Sequence, residues 1–172
     1  ADYHAEIPLK FIVSYEEYDL AIEGRADGII YEEGLLEENS RFLEDPRMDL
    51  EEGQEEAKPF VMIDEIKGVY LDVEQMAEPN AVHLAQAKCY AFIFATQHAL
   101  PAIGVQMTYC NLDTEEIRRF QMHYSYDEIE AWFLELVASY KKWSDFLFHH
   151  KMIRQQSIRG LEFPYAYRLG RK

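Results

Sequence analysis

Two acids and a lysine continue the apolar run that begins at Phe60. Residues 60–63 read as an ordinary buried strand, and Asp64-Glu65-Ile66-Lys67 follows directly. Side chains alternate along a strand, so Glu65 and Lys67 point to the same side, roughly 7 Å apart. A carboxylate and an ammonium at the rim of a core strand are costly to bury unless something pairs with them. A metal ion and a phosphate are suitable partners, so the spacing predicts a hydrolytic site.

A second acid comes from an earlier segment, Gly24-Arg25-Ala26-Asp27. On a strand, Arg25 and Asp27 share a face, and Gly24 lets the backbone bend or lets another group approach closely. Asp27 and Glu65 together would supply the hard oxygen ligands that suit Mg²⁺ or Mn²⁺. Arg25 is a candidate substrate-binding residue.

A third group of polar residues lies on the helix predicted after Asn80. His83, Gln86 and Tyr90 stand at i, i+3 and i+7, hence on one face. Gln86 would hold Lys67 or a phosphate oxygen, and Tyr90 would do the same or contact a nucleic-acid backbone. Taken singly, these residues are more typical of a helix surface, and His83 of a polar helix start.

These groups suit metal-assisted phosphodiester hydrolysis. The cation would lower the pKa of a bound water and stabilise charge growing on the phosphate. Lys67 would orient the attacking water or stabilise transition-state charge. A Glu-x-Lys alone is more often a surface salt bridge, so the prediction depends on all three segments together.

The order Gly-x-x-Asp, Glu-x-Lys and Gln-x-x-x-Tyr resembles the PD-(D/E)xK nuclease superfamily in its RecB-like exonuclease branch. The matching residues come from the three segments above: Gly24, Asp27, Glu65, Lys67, Gln86 and Tyr90. The resemblance covers about residues 5–140. It implies a restriction-endonuclease-like fold and a magnesium ion held by the Asp and Glu side chains and by the backbone carbonyl of Ile66.

The chain departs from that pattern in two respects. RecB-like members usually carry a metal-binding His on a helix before the first strand, whereas this sequence begins almost on that strand and His4 is on the wrong element. The opening Ala1-Asp2-Tyr3-His4 reads as part of a longer protein. With two cysteines, Cys89 and Cys110, the chain cannot supply the four thiolates of an iron–sulfur cluster, and a structural disulfide is not expected.

The end of the chain shows a second resemblance. Residues 163–170, Phe-Pro-Tyr-Ala-Tyr-Arg-Leu-Gly, are similar to the opening motif of DinG/Rad3-like superfamily-two helicases, although Arg171 stands where Gln is expected. The alternative is a basic, aromatic tail without a partner domain. The first interpretation divides the chain into a nuclease domain, 1–158, and a linker or helicase start, 159–172. It implies a helicase partner in cis or in trans.

The net charge of −15 is not typical of a nucleic-acid binder, but the charge is unevenly distributed. Residues 32–60 contain eleven acids and three bases, whereas residues 140–172 contain eight bases and two acids. The acidic stretch is either a solvated surface or a cover or DNA mimic over the site; the second hypothesis predicts that deleting residues 34–57 raises DNA affinity. No apolar run approaches the ~20 residues that cross a bilayer. Without a secretion signal we expect no membrane association and a cytoplasmic location.

The periodicity predicts an α/β fold, a central mixed sheet flanked by helices. Strands are expected at 5–15 and 20–25, then at 27–31 or as a continuation of the second past a kink at Gly24. After a long loop, 33–58, come a strand at 60–67, a helix at 81–99, a hairpin at 102–110 and 117–124, and a helix at 126–156. Asn80 would cap the first helix, and Ser125 with Glu128 would form a capping box on the second. In that second helix one face is apolar, at positions 129, 132, 133, 136 and 137.

Three functions are compatible with these features. The first is a Mg²⁺-dependent deoxyribonuclease, an exonuclease that acts with a helicase in DNA repair or processing. The second is a catalytically silent nuclease-fold module that only binds DNA or positions a helicase. The third is a structure-specific endonuclease, such as a junction resolvase, which would require a dimer.

Overall fold

The computed structural model describes residues 2–32 and 60–161, and these form five strands and two helices. The acidic stretch and the helicase-like tail therefore lie outside the described residues. The elements in chain order are β1 (Asp2–Ser14), β2 (Asp19–Glu32), β3 (Phe60–Val69), α1 (Ala81–His98), β4 (Ala102–Asn111), β5 (Ile117–Ser125) and α2 (Tyr126–Arg159). Neither helix contains an apolar stretch long enough to cross a lipid bilayer.

The five strands form one mixed sheet in the order β1-β2-β3-β4-β5. Neighbouring strands are antiparallel except β3 and β4, which are parallel and are connected through α1. A parallel pair needs such a crossover because a tight turn reverses the chain. The predicted α/β class, a mixed sheet with helices packed on it, is confirmed.

The second and third predicted strands are one strand, β2, that runs through Gly24. Its first half pairs only with β1, and its last five residues, Gly28–Glu32, also pair with β3. The ladder with β1 runs unbroken through Gly24, from Asp19 to Ala26, which is why no turn separates the two segments at the glycine. The prediction of two separate strands was wrong, and the alternative of a continuous strand is confirmed.

Both helices begin where the sequence predicts. Asn80 accepts backbone hydrogen bonds from Val82 and His83, and Ser125 forms a capping box with Glu128. The second helix ends at Arg159, three residues later than predicted. Its face is also narrower than predicted: Ile129, Phe133 and Val137 are buried, whereas Leu136 is 39% exposed.

The core lies between the sheet and the two helices. Phe92 on α1 stacks on Phe133 of α2 with ring centroids 4.0 Å apart, and Phe11 of β1 meets both rings edge-on. One buried cluster therefore joins both helices to the sheet. This packing fixes the position of α1 over the strands that carry the predicted site.

Candidate active site

Strands β2 and β3 separate at the predicted site. Their ladder runs from Glu32–Phe60 to Gly28–Asp64 and stops there. Beyond this point the backbone N–H of Ile66 donates to Oδ2 of Asp27 at 2.8 Å, so the Asp27 carboxylate takes the place of a strand partner. The two strands that carry the acids are thus neighbours, and Asp27 is tied to the residue that follows Glu65.

The β1–β2 ladder is interrupted opposite Asp27. Ala5 pairs with Gly28 and Ile7 pairs with Ala26, but Glu6 and Asp27 between them do not pair. Glu6 has a φ of 61°, a left-handed conformation that costs a non-glycine residue about 1–3 kcal/mol. A local departure from regular strand geometry therefore coincides with the predicted metal ligand.

Glu65 and Lys67 share a face of β3, as their alternation predicts, and they form a close ion pair with each other. Lys67 Nζ donates to Glu65 Oε1 at 2.6 Å, and the Glu65 side chain is only 1% exposed. Burial raises the pKa of the Glu65 carboxyl above its ordinary value. The hydrogen bond from Lys67 opposes that rise, and the negative charges of Asp27 and Asp64 add to it. The site is therefore one where further positive charge stabilises the ionised carboxyl.

The helix residues complete a continuous chain of contacts. Lys67 Nζ also donates to Gln86 Oε1 at 3.2 Å, and Gln86 Nε2 donates to the Tyr90 hydroxyl at 3.2 Å. The Tyr90 hydroxyl in turn lies against Gly24, where an added Cβ atom would be 2.5 Å from its oxygen. One chain of contacts thus joins residues from three separate segments: Gly24, Glu65, Lys67, Gln86 and Tyr90.

Three predicted residues take less direct positions. Arg25 forms an ion pair with Glu6 across the β1–β2 ladder, Nε to Oε2 at 2.7 Å, rather than with the residues above. The side chain of Ile66 is 44% exposed, and its backbone N–H is the group that Asp27 holds. His83 lies at the helix start, with Nδ1 3.2 Å from the hydroxyl of Tyr109.

The residues present fit a divalent cation. Oε2 of Glu65 is buried and has no hydrogen-bond partner within residues 2–32 and 60–161. A buried carboxylate oxygen without a partner is costly, and Mg²⁺ is bound by such oxygens together with several waters. No cluster of three or more His, Cys, Asp or Glu side chains is placed to hold a metal in the described part of the chain. A cation beside Glu65 would therefore have at most two carboxylate ligands from the described residues and would have to keep much of its water.

One neighbouring cluster of polar side chains was not predicted from the sequence. Asp64 is buried on the opposite face of β3, where Oδ1 accepts from Thr108 at 2.7 Å and from Gln106 at 3.1 Å. Both partners lie on β4, spaced two residues apart in a mostly apolar strand, and this spacing was the only sign of the cluster in the sequence. These two hydrogen bonds are typical of a structural carboxylate. The negative charge of Asp64, on the other face of the strand, contributes to the raised pKa of Glu65.

Comparisons with known proteins place the chain in no family. No protein-family model matches it, and no curated protein matches it. Among solved structures it is similar to one described as "Crystal structure of SSO0001", with a TM-score of 0.45 and 17% identity over 79% of this chain. The match covers 47% of that protein, so this chain spans about half its length. A likeness of this degree supports no inference about function.

Proposed function

We propose that this chain is a metal-dependent deoxyribonuclease, an exonuclease domain of the RecB-like kind, that hydrolyses phosphodiester bonds in DNA. The observation that supports the proposal is the contact chain from Glu65 through Lys67 and Gln86 to Tyr90, with Asp27 bound to the backbone of the same strand. Local packing alone does not require an acid, an ammonium, an amide and a phenol to be joined in sequence at one strand end.

The metal ligands in this proposal are Asp27, Glu65 and the backbone carbonyl of Ile66. Bound there, Mg²⁺ or Mn²⁺ supplies Lewis acidity, which lowers the pKa of a bound water and offsets charge on the phosphate. Glu65 Oε2 is the carboxylate oxygen available for it, because Oε1 already accepts from Lys67. Oδ2 of Asp27 accepts from the Ile66 N–H, which ties the Asp27 carboxylate to the residue that follows Glu65.

The remaining residues position the water and the phosphate. An ammonium has three donors, and Lys67 uses two of them on Glu65 and Gln86. The third is available to a water or a phosphate oxygen, and its positive charge stabilises negative charge developing there. Because the Tyr90 hydroxyl accepts from Gln86 Nε2, its own proton is available to a phosphate oxygen.

A helicase is the proposed partner, in cis or in trans, acting in DNA repair or processing. Support for it comes only from the sequence of residues 163–170, outside the described residues. A helicase would supply single strands to an exonuclease, so the two activities are compatible.

The test is hydrolysis of end-labelled DNA in Mg²⁺ or Mn²⁺, with EDTA as the blank. We expect metal-dependent release of label and a loss of at least about 100-fold in Lys67→Ala, the usual scale for a group that assists proton transfer. Lys10→Ala is the matched control, because Lys10 is an exposed lysine that pairs with Glu23 and with none of the proposed site residues. Equal activity of wild type and Lys67→Ala at every metal concentration would contradict the proposal.

Two further measurements separate the alternatives. Closed circular DNA has no ends, so cleavage of it would identify an endonuclease instead. A metal-induced rise in Tm that Glu65→Gln abolishes, without hydrolysis of any DNA, would identify the catalytically silent module.

A further inference from the structure

The second half of α2 is attached to the rest of the molecule along one side only. The Tyr18 hydroxyl hydrogen-bonds to Ser144 and Asp145, and the Tyr18 ring stacks on Phe148 at 5.1 Å. From His149 to the end of the helix every residue is exposed. The opposite side of this segment thus faces outward and has no packing role among the described residues.

That outward side presents a row of nearly parallel rings. Trp143 and Phe146 are 5.4 Å apart with an interplanar angle of 22°, and Phe146 and His150 are 5.9 Å apart at 24°. Trp143 and Phe146 are 52% and 55% exposed. Arg154 lies one turn beyond His150, so these four residues share one stripe, the aromatic–basic face.

The charge around this stripe is opposite to that of the whole chain. Residues 140–161 contain five lysines and arginines and one acid, in a chain of net charge −15. Lys141 is paired with Asp145, whereas the other four bases have no ion-pair partner within residues 2–32 and 60–161. Those four are Lys142, Lys151, Arg154 and Arg159. A local cationic region of this kind attracts polyanions.

We propose that the aromatic–basic face binds single-stranded DNA. This inference rests on the proposed function and adds to it the class of substrate. Exposed rings stack on bases, and cations beside them contact the phosphates; this combination is how proteins bind single strands irrespective of sequence. Duplex bases are already stacked on one another, so the substrate that fits is a single strand.

Charge argues against the other occupants of an exposed apolar stripe. A second copy in a two-fold dimer would bring the bases on and beside this stripe, Lys142, Lys151 and Arg154, against each other. A protein partner with an apolar face would remove Lys142, Lys151 and Arg154 from water without supplying counter-charges. DNA satisfies the rings and the cations at once.

The test measures anisotropy of a labelled oligothymidylate in EDTA, so that binding is read without hydrolysis. We expect Trp143→Ala/Phe146→Ala to weaken binding by at least about tenfold, from the loss of base stacking. The binding constant falls as the salt concentration rises, and the double variant Lys142→Ala/Arg154→Ala should make the slope of log K against log salt concentration less steep by about 1.4. Each lost phosphate contact on a single strand contributes about 0.7 to that slope.

The matched control for the ring variant is Leu134→Ala. Leu134 is 56% exposed on the same helix and, about two and a half turns before Trp143, points to the opposite side. Its binding should equal that of wild type, and Lys10→Ala, an exposed lysine outside this face, should also bind normally. Three results would overturn the inference: no binding by wild type, equal binding by the ring variant, or equal affinity for a blunt duplex. A dimer in light scattering that the ring variant dissolves, without DNA binding, would instead identify a self-association surface.

These results separate the inference from the proposed function. Binding that depends on the rings, without metal-dependent hydrolysis, supports this surface and rejects the nuclease. Metal-dependent hydrolysis together with unchanged DNA binding by the ring variant supports the nuclease and rejects this surface.

Discussion

Glu65 is the residue on which the candidate site depends. It is fully buried, one carboxylate oxygen is held by Lys67, and the other has no partner among the described residues. Removing a carboxylate from water is expensive, and one lysine satisfies only part of its hydrogen-bonding capacity. The residue is therefore better explained by a function that supplies a further positive charge than by packing.

Gly24 predicts a specific coupling with Tyr90. In Gly24→Ala the new methyl group would meet the Tyr90 hydroxyl at 2.5 Å, so the ring must move and its bond to Gln86 breaks. We expect a loss of about 1–3 kcal/mol in the free energy of unfolding, as for other overpacked sites. Urea titration measures it.

A double-mutant cycle provides the control. In a Tyr90→Ala background the obstruction is gone, and alanine in a strand is preferred to glycine, so Gly24→Ala should be neutral or stabilising there. An equal loss in both backgrounds would show that Gly24 is required for another reason.

Cys89 predicts a measurable pH dependence. Burial in α1 raises the pKa of its thiol from 9.0 to about 11, and the neighbouring Lys88 opposes this only weakly. The thiolate is the reactive form, so at pH 8 alkylation should be roughly 100-fold slower than for an ordinary cysteine. The rate should still be rising at pH 10 in the folded protein. Iodoacetamide labelling read by mass spectrometry checks this, with the protein in urea as the control; a rate that levels off near pH 9 in the folded chain would contradict it.

At the scale of elements, the separation of β2 and β3 creates the site. A sheet whose ladder continued past Gly28–Asp64 would give the Ile66 N–H a backbone partner and leave Asp27 without a role. The interruption at Glu6 lies in the adjacent ladder, opposite Asp27. Backbone hydrogen bonds given up by the strands are thus replaced by the side chain that the proposed chemistry uses.

The capping box of α2 yields a prediction for this element. In Ser125→Ala, the Glu128 N–H loses its acceptor at 3.3 Å, while the Glu128 carboxylate keeps the backbone N–H of residue 125. We expect a loss of about 1 kcal/mol, the usual cost of removing an N-cap. Ser125→Asn retains a capping oxygen and should lose little. If the Asn and Ala variants are equally stable in urea titration, the cap does not stabilise this helix.

The same cap has a pH dependence with a definite sign. Hydrogen bonds from the backbone and side chain of Ser125 lower the pKa of the Glu128 carboxyl below its ordinary value. A carboxyl whose pKa is lowered by folding stabilises the folded state at any pH above its ordinary pKa. This contribution is lost as the pH falls through the lowered pKa of the folded state. The difference in stability between wild type and Ser125→Ala should therefore narrow in acid.

At the scale of the whole molecule, one aromatic cluster holds the helices on the sheet. Phe133 is fully buried between Phe92 and Phe11. Phe133→Ala should cost about 3–5 kcal/mol, the usual range for a buried phenylalanine. Phe146→Ala, on the exposed side of the same helix, should remain within about 0.5 kcal/mol of wild type. Urea titration of both variants checks this, and a similar loss in the two would contradict the described packing.

Much of the architecture could be predicted because it depends on local periodicity. Alternation placed the strands, and Asn80 and the Ser125–Glu128 pair marked the helix starts to the residue. Two of the errors have local causes as well. Gly24 did not decide between one strand and two, because a glycine tolerates both a kink and a straight strand. Leu136 was assigned to the apolar face of α2 by its spacing, but the core covers only part of that face and leaves Leu136 exposed.

The sequence by itself determined which side chains share a face, because that depends only on the repeat of a strand or a helix: Glu65 with Lys67, and Gln86 with Tyr90. Only the tertiary structure decided that these pairs meet, that Asp27 binds the Ile66 N–H, 39 positions along the chain, and that Glu65 Oε2 has no described partner. Those contacts depend on the strand order and on where the β2–β3 ladder ends, which is set by packing between distant segments. The position of Asp64 on the opposite face follows from alternation, but its partners on β4 required the register of the parallel pair.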